Sequence, residues 1–473
     1  MKHIINSLGF KIYPNRNTSN RLKVVVISFL SFGMLSCESF VDIDPPSNTL
    51  ITETVFEDAA TVESAMANIY YKLREQGMVS GSFGLSINLG MYADELDYYG
   101  TSANPSTIYN HTIASNNITV LSWWNHAYNI IYATNDVING LEQASSLSPA
   151  LKARYKGQAL FVRAYMHSLL LGLYGEIPYV NSTDYVTNSN VLRQPINMVY
   201  EHIIDDLNKA VSVMSDSGAI GERVIPNQSA ALALLSRMYL YTENWEKAEE
   251  TSSKVISMFP LEIDINKVFL KNSAETIWQF KPEGKSVKNT QEAQLLIIGF
   301  LPTRGYAISN SLLNAFEPND LRRTKWIGSI SNGITTLRFA YKYKETLSST
   351  TTSLEYSIIF RVSEQYLIRA EARAHQNNPL GSQQDLNTIR QRAGLGTIST
   401  MDTNLLFDAI LKERRVELFT EHGQRWHDLI RLGQANTILS SLKPNWKPTD
   451  VLFPIPNSEI QINPNLKPQN SGY

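Results

Sequence analysis

The sequence predicts a mostly α-helical protein: a tetratricopeptide-like helical-repeat scaffold, an irregular loop-rich region and a few short strands. Apolar residues recur at helical spacing in several segments, for example Leu234, Met238 and Tyr241. Two other segments have a different composition. Residues 77–121 are rich in Gly, Ser, Asn and Thr, and 260–356 mix short β-type runs with Gly, Pro, Ser and Thr. Loops of that length inside a compact domain are often functional.

The N-terminus has the order of a secretory leader. Basic residues precede an apolar run from Val24 to Ser36, and no acidic residue occurs before Glu38. This order predicts a signal peptide over 1–36. The apolar run is shorter than the roughly 20 residues that a transmembrane helix needs.

Cys37 is the only cysteine of the 473 residues, and it follows Met34-Leu35-Ser36 directly. This layout is that of a bacterial lipoprotein, so Cys37 is the predicted lipid attachment site and 37–50 the tether. A single cysteine also excludes internal disulfides. The formal net charge of −2 gives no electrostatic attraction to nucleic acid or to an anionic membrane.

The helical segments follow one another in two blocks, about 123–258 and 362–432. The first block includes an apolar helix from Gly157 to Tyr174, which we expect to be buried. Arg163 lies inside that helix and therefore needs a carboxylate partner. Each block also contains a predicted helix pair: Ala230–Tyr241 with Trp245–Ile256, capped by Asn244, and Val362–His375 with Ser382–Arg392, started by a capping box of Ser382 and Asp385.

The segment from Ile410 to Leu432 concentrates charge. Three glutamates recur at every fourth position and share one helix face. Such carboxylates could form a metal or acid/base site, but nearby arginines would lower their pKa, which favours a structural role. We therefore predict a structural ion-pair cluster and no catalytic residue, metal or cofactor. Its members are Glu413, Arg414, Glu417, Glu421, Arg425 and Asp428, with Arg415 and Arg431 also within reach.

This charged segment resembles the SusD/RagB family of Bacteroidetes outer-membrane lipoproteins, and four further blocks agree with the family in order. Two departures are Ser471, where the family usually has proline, and His126, often a cysteine. The matching blocks are Trp124–Tyr128 with Asn135–Ile138, Phe161–Tyr165 with Tyr174–Pro178, Phe360–Arg361 with Ala370–Ala372 and Leu386–Gly394, and Phe453–Pro456 with Gln469–Tyr473.

The resemblance implies a single SusD-like domain over 51–473, with irregular ligand-side regions at about 77–121 and 260–356. It also implies a non-catalytic, surface-exposed protein that is lipid-anchored in the outer membrane. Such a protein captures glycans and delivers them to a SusC-like TonB-dependent transporter, without binding nucleic acid. Alternatives are peptide-nutrient binding in the same role and, less in line with the sequence, a surface glycosidase or a protein-only adaptor.

The family's shared blocks are scaffold, so ligand contacts must be predicted from chemistry. Sugars present C–H faces to aromatic rings and hydroxyl groups to charged or amide side chains. Two segments combine such residues. The candidate ligand-binding residues are Tyr98, Tyr99, Asp94 and Asp97 in the first segment, and Trp326 and Arg322 in the second.

Overall fold

Helices carry most of the architecture in the computed structural model, which describes residues 56–75, 77–215, 218, 221–282 and 288–473. The predicted signal peptide, Cys37 and the tether lie outside the described residues. Residues 52–473 form one compact unit by their internal contacts. The described part contains 18 α-helices and six short strands, in agreement with the predicted mostly α fold.

The first half is dominated by three long helices that pack side by side. α4 and α5 are each 26 residues long, and α5 packs against both α4 and α7. Asn117 caps α4, and Ser148 with Pro149 starts α5. The elements are α1 Ala59–Glu75, α2 Leu85–Tyr92, β1 Leu96–Tyr98, α3 Ala103–Tyr109, α4 Ile118–Gln143, α5 Pro149–Tyr174, α6 Tyr185–Asn188 and α7 Ile196–Val213.

Arg163 finds the carboxylate partner that its position in an apolar helix required. Its guanidinium donates to both oxygens of Asp206 on α7, at 2.7 and 2.6 Å, and to Asn135 on α4 at 2.8 Å. A buried pair with this geometry satisfies most of the guanidinium donors. The prediction is confirmed, and the contact ties three helices together.

Two helix pairs form the repeat-like part, as the periodicity predicted. α8 (Gln228–Tyr241) and α9 (Trp245–Met258) form the first pair, and α13 (Val362–His375) and α14 (Pro379–Arg392) the second. α9 packs on α13, and Asn244 caps α9 as expected. The expected capping box of Ser382 and Asp385 is wrong.

The second helix of this pair, α14, begins about one turn earlier than predicted, because Asn378 is the N-cap and Pro379 occupies the first helical position. Asp385 therefore lies inside the helix, where it pairs with Arg369 at 2.7 Å and Arg373 at 2.9 Å. The two pairs are joined by Arg237 of α8, which donates to both oxygens of Glu364 at 2.7 Å.

The predicted irregular regions contain short helices and short strands, and the β-type run Thr276–Phe280 is a strand as predicted. The strands form three two-stranded antiparallel sheets, β1 with β3, β2 with β6 and β4 with β5. α2 and α3 also lie in the region predicted as irregular. The remaining elements there are β2 Thr276–Phe280, α10 Gln291–Leu296, β3 Tyr306–Ile308, α11 Asn310–Leu313, α12 Leu321–Lys325, β4 Ile327–Ser331, β5 Thr336–Ala340 and β6 Ser357–Arg361.

The C-terminal part returns to the centre of the protein. It comprises α15 Thr403–Glu417, α16 Gln424–Arg431, α17 Ala435–Leu442 and α18 Asn457–Ile462, with 3₁₀ turns at Pro448–Val451 and Pro464–Leu466. The main hydrophobic core draws residues from nearly every element. Four tryptophans lie fully inside it: Trp123, Trp278, Trp326 and Trp426. None of the described helices is both long and apolar enough to cross a membrane.

Candidate functional site

The candidate site is built on the three-residue ladder of β1 and β3. Tyr98 lies directly opposite Tyr306, and their rings stack with centroids 5.4 Å apart and planes at 29°. Opposed residues of an antiparallel pair share one face of the sheet, which explains this contact. The ladder continues one step further, since the Tyr99 N–H donates to the Gly305 carbonyl at 3.0 Å.

Asp97 and Tyr99 alternate with Tyr98 along the strand and so point to the other face. Tyr99 is 46% exposed, and Asp97 is half-buried. On that side the Tyr109 hydroxyl of α3 donates to Asp97 at 3.2 Å. We call Asp97, Tyr99 and Tyr109 the tyrosine surface, and the stacked pair of Tyr98 and Tyr306 lies on the opposite face of the ladder.

A buried lysine packs against Tyr109 of the tyrosine surface. The Lys443 ammonium lies 4.2 Å from the centroid of the Tyr109 ring and donates to the Met91 carbonyl at 2.6 Å. Burial lowers the pKa of Lys443 to about 8, against the opposing effect of the Asp97 and Asp94 charges. Burial and then the Asp97 charge raise the pKa of Tyr109 to about 12. The tyrosine hydroxyl is therefore neutral at neutral pH. Its single hydrogen is donated to Asp97, and its oxygen can still accept a hydrogen bond.

Asp94 does not belong to this exposed surface, so its predicted ligand contact is wrong. It is buried below the ladder, where Arg425 donates to it at 2.8 Å and Arg415 also pairs with it. Although burial favours the neutral acid, the charge of Arg425 and then that of Arg415 hold its pKa below the ordinary value. Asp94 fixes β1 to the C-terminal helices.

Trp326 and Arg322 are also corrected. Trp326 is 1% exposed, its indole N–H donates to the Ile265 carbonyl at 3.0 Å, and its ring packs on Phe269. Arg322 is fully buried and bonds to Asp320, the residue that caps α12. Neither side chain has a free face for a ligand. Their neighbours along the chain are typical of loops, but distant segments cover them.

The charged segment forms an ion-pair cluster, but its glutamates have different partners from those expected. Glu417 accepts from Arg322 at 3.0 Å, from Arg361 at 2.5 Å and from Arg392. These arginines come from α12, β6 and α14, and not from the segment itself. The remaining pairs are Glu413 with Arg322 and Arg390, Glu421 with Arg361 and Lys342, Arg414 and Arg431 with Asp428, and Arg425 with Asp94.

The pKa values in this cluster follow the balance between burial and neighbouring charge. Against burial, the three arginine charges hold the pKa of Glu417 well below its ordinary value. Against burial, Arg414 and Arg431 lower the pKa of Asp428 to about 2. Glu413 is the exception, because burial and the neighbouring Glu417 raise its pKa despite Arg322. The expectation that every carboxylate has a lowered pKa is therefore wrong for Glu413.

Other carboxyl groups also have raised pKa values, which is a feature of acid catalysts. Burial raises the pKa of Glu95 and of Glu355 to about 7. Both are at most 2% exposed and accept backbone N–H groups, from Thr420 and from Lys344 respectively. A substrate on the surface would not reach either carboxyl. Among the described residues, no group of three His, Cys, Asp or Glu side chains is placed to hold a metal.

Tyr109, Tyr306 and Lys443 were not predicted as part of the site. Tyr306 and Lys443 come from segments remote from β1, and only the tertiary fold brings them there. Tyr109 lies on α3, the helix that follows β1 directly. No periodicity or motif in the sequence could have shown the pairing of β1 with β3. Tyr98, Tyr99 and Asp97 stay predictions as ligand contacts, with the geometry given above.

The fold defines a class of tetratricopeptide-like helical proteins that carry an irregular region with short strands. Two family models match the chain. One, described as starch-binding associating with outer membrane, matches residues 39–240, and the model of the SusD family matches 322–473. The chain belongs to the SusD/RagB family.

Relatives and solved structures are similar over most of their length. The chain is 25% identical to the SusD-like protein P2 of Formosa agariphila, over 90% of this chain and 95% of that one. It is 22% identical to the starch-binding protein SusD of Bacteroides thetaiotaomicron, over 70% and 75%. A SusD superfamily structure from Bacteroides vulgatus aligns with a TM-score of 0.78 at 20% identity, over 88% and 99%. A laminarin-binding SusD-like protein aligns with a TM-score of 0.74 at 21% identity, over the same shares.

Proposed function

We propose that the protein is a non-catalytic cell-surface lipoprotein that captures glycan nutrients and delivers them to a SusC-like TonB-dependent transporter. The observation that carries the proposal is the tyrosine surface, where exposed Tyr99 lies beside Asp97 and the Tyr109 hydroxyl. Membership of a family whose model is described as starch-binding supports it, as does the laminarin-binding structural neighbour.

The chemistry of the surface suits a sugar ring. The apolar C–H face of a pyranose would stack on Tyr99, while its hydroxyl groups would bond to Asp97 and Tyr109. Aromatic stacking and hydrogen bonding to a preformed site need little reorganisation, because the β1–β3 ladder holds these residues in place. Binding of this kind needs no proton transfer and therefore no carboxyl with a tuned pKa.

A binding screen with product analysis tests this proposal. The protein is titrated with soluble plant, host and microbial glycans and with peptides, and each sample is then analysed for cleavage products. Binding to a glycan class without products is the expected result. Cleavage products would replace the proposal with a surface glycosidase. Binding to peptides alone would assign a peptide nutrient, and binding to neither would favour a protein-only adaptor.

The membrane anchor has a separate test, because Cys37 is the predicted site of lipid attachment. Cys37→Ser removes the only thiol, so the variant should leave the membrane fraction and become soluble. Membrane fractionation of cells that express each form measures this. A variant that stays with the membrane to the same extent as the wild type would contradict a lipid anchor at Cys37.

A further inference from the structure

A concave site separate from the tyrosine surface lies on the long helix α4. It is a groove of about 330 Å³ between α4 and the C-terminal residues around α18. We call it the α4 groove. It shares no lining residue with the tyrosine surface. Its main lining residues are Trp124, Asn125, Tyr128, Asn129, Tyr132 and Glu459.

Three aromatic side chains form one wall of the groove. Trp124, Tyr128 and Tyr132 follow each other at intervals of four residues, which places them along one face of α4. The rings of Trp124 and Tyr128 are 4.9 Å apart, and the Tyr128 hydroxyl donates to the Pro178 carbonyl at 2.9 Å. Tyr132 is 52% exposed. Tyr128 is thus held in place by its hydrogen bond, while Tyr132 is open to a ligand.

Polar groups without partners lie beside this wall. Asn125 and Asn129 are one helical turn apart, and in the described part of the chain their side-chain amides make no hydrogen bond. Each amide offers two donor hydrogens and an acceptor oxygen. Glu459 adds a carboxylate on the facing side of the groove.

We propose that the α4 groove is a second carbohydrate-binding site, which takes one or two sugar rings. An aromatic wall with adjacent amides matches the apolar face and hydroxyl rim of a pyranose. The volume lies at the lower end of the range for small-molecule sites, roughly 300–1,000 Å³. An apolar segment of a partner protein fits less well, because it would bury the free amides of Asn125 and Asn129 without hydrogen bonds.

The test compares two double variants of the full chain. Asn129→Ala/Tyr132→Ala alters the groove at two exposed residues, and Asp97→Ala/Tyr99→Ala alters the tyrosine surface. Tyr185→Ala is the matched control, since Tyr185 is 82% exposed and does not line the groove. Short laminari-, malto-, xylo- and manno-oligosaccharides are titrated by calorimetry, and thermal unfolding confirms that each variant is folded.

The groove proposal expects residual oligosaccharide binding in the Asp97→Ala/Tyr99→Ala protein. Adding Asn129→Ala/Tyr132→Ala should weaken that binding by roughly tenfold or more, the loss of one stacking contact and one hydrogen bond. Tyr185→Ala should leave it unchanged. Two results would overturn the groove: no residual binding of any oligosaccharide, or residual binding that the groove substitutions do not alter.

The same titrations separate the two proposals. If Asp97→Ala/Tyr99→Ala binds as the wild type does while the groove variant loses affinity, the tyrosine surface is overturned and the groove stands. If Tyr185→Ala loses as much affinity as the groove variant, the loss of affinity is not specific to the groove residues, and the groove proposal is overturned.

Discussion

The ion-pair cluster around Glu417 and the tyrosine surface both combine carboxylates with aromatic neighbours, yet they use these groups differently. In the cluster, Glu417 accepts bonds from three arginines and has no exposed surface. On the tyrosine surface, Asp97 has one protein donor and Tyr99 remains nearly half exposed. In the first region the protein itself supplies the partners of the carboxylate, while in the second the carboxylate and the ring remain available to a ligand.

Residue type alone therefore does not identify a binding residue. Trp326 and Arg322 have the chemistry of a sugar site, but the ion-pair cluster and the core enclose them. What separates the two regions is whether the protein itself supplies the partners. Substitutions in each region test this separation.

Glu417→Ala should cause the largest loss of stability. It leaves Arg322, Arg361 and Arg392 buried with fewer counter-charges, and removing one member of a buried pair typically costs roughly 3–5 kcal/mol. Urea unfolding followed by circular dichroism measures the free energy of unfolding. Glu250→Ala, which breaks the exposed pair with Lys254, is the control and should change stability little. Equal effects of the two substitutions would contradict the structural role of the cluster.

Trp326→Ala should destabilise the protein by roughly 3–5 kcal/mol, the usual range for truncating a buried aromatic residue. This reverses the expectation from sequence, in which Trp326 contacted ligand and was not part of the core. The affinity of the folded fraction for glycan should be unchanged. Melting temperature and calorimetric affinity are measured on the same preparation. A variant with a normal melting temperature and lost affinity would place Trp326 in the binding site after all.

Glu95→Gln should stabilise the protein above neutral pH. Burial raises the pKa of Glu95 from 4.5 to about 7, with Asp94 acting in the same direction and Lys342 and Arg425 against it. The folded state therefore holds this proton more tightly, and the wild type loses stability as the pH rises from about 4.5 through 7.

The amide cannot ionise, so Glu95→Gln avoids this loss. At 1.36 kcal/mol per pKa unit, its advantage at pH 8 relative to pH 4 is about 3 kcal/mol at most. Urea unfolding of both proteins at the two pH values measures this difference. If the difference in the free energy of unfolding between Glu95→Gln and the wild type is the same at pH 4 and at pH 8, Glu95 has an ordinary pKa in the folded protein.

Tyr99→Ala should have the smallest effect on folding and a clear effect on binding. Because Tyr99 is 46% exposed, truncation should change stability by no more than about 0.5 kcal/mol. Loss of ring stacking should weaken glycan affinity by roughly tenfold, or about 1.4 kcal/mol. Calorimetric titration with the glycan from the screen measures this. Tyr99→Phe keeps the ring and should bind nearly as the wild type does.

The sequence predicted the parts of the fold that depend on local pattern. The helix pairs, the Asn244 cap and the need of Arg163 for a partner all follow from periodicity and burial along one segment. The identity of that partner, Asp206, did not, because it lies on another helix. The capping box at Ser382 was wrong since Asn378 and Pro379 give a stronger start one turn earlier.

The candidate site was less predictable for the same physical reason. Asp97, Tyr98 and Tyr99 could be named because they adjoin each other in the sequence. Tyr306 and Lys443 could not, since only tertiary contacts bring them to β1. Arg322 shows the opposite failure, since two of its three acidic partners, Glu413 and Glu417, come from a helix about 90 residues away.

The β1–β3 ladder has a kinetic consequence. Its two strands are about 200 residues apart in the chain, and such long loops close slowly during folding. The tyrosine surface is therefore assembled only after both flanking parts have formed. A glycan that contacts both strands binds the native state and not the unfolded chain, so it raises the free energy of unfolding by mass action. Ligand binding and the lifetime of the folded protein are thereby linked.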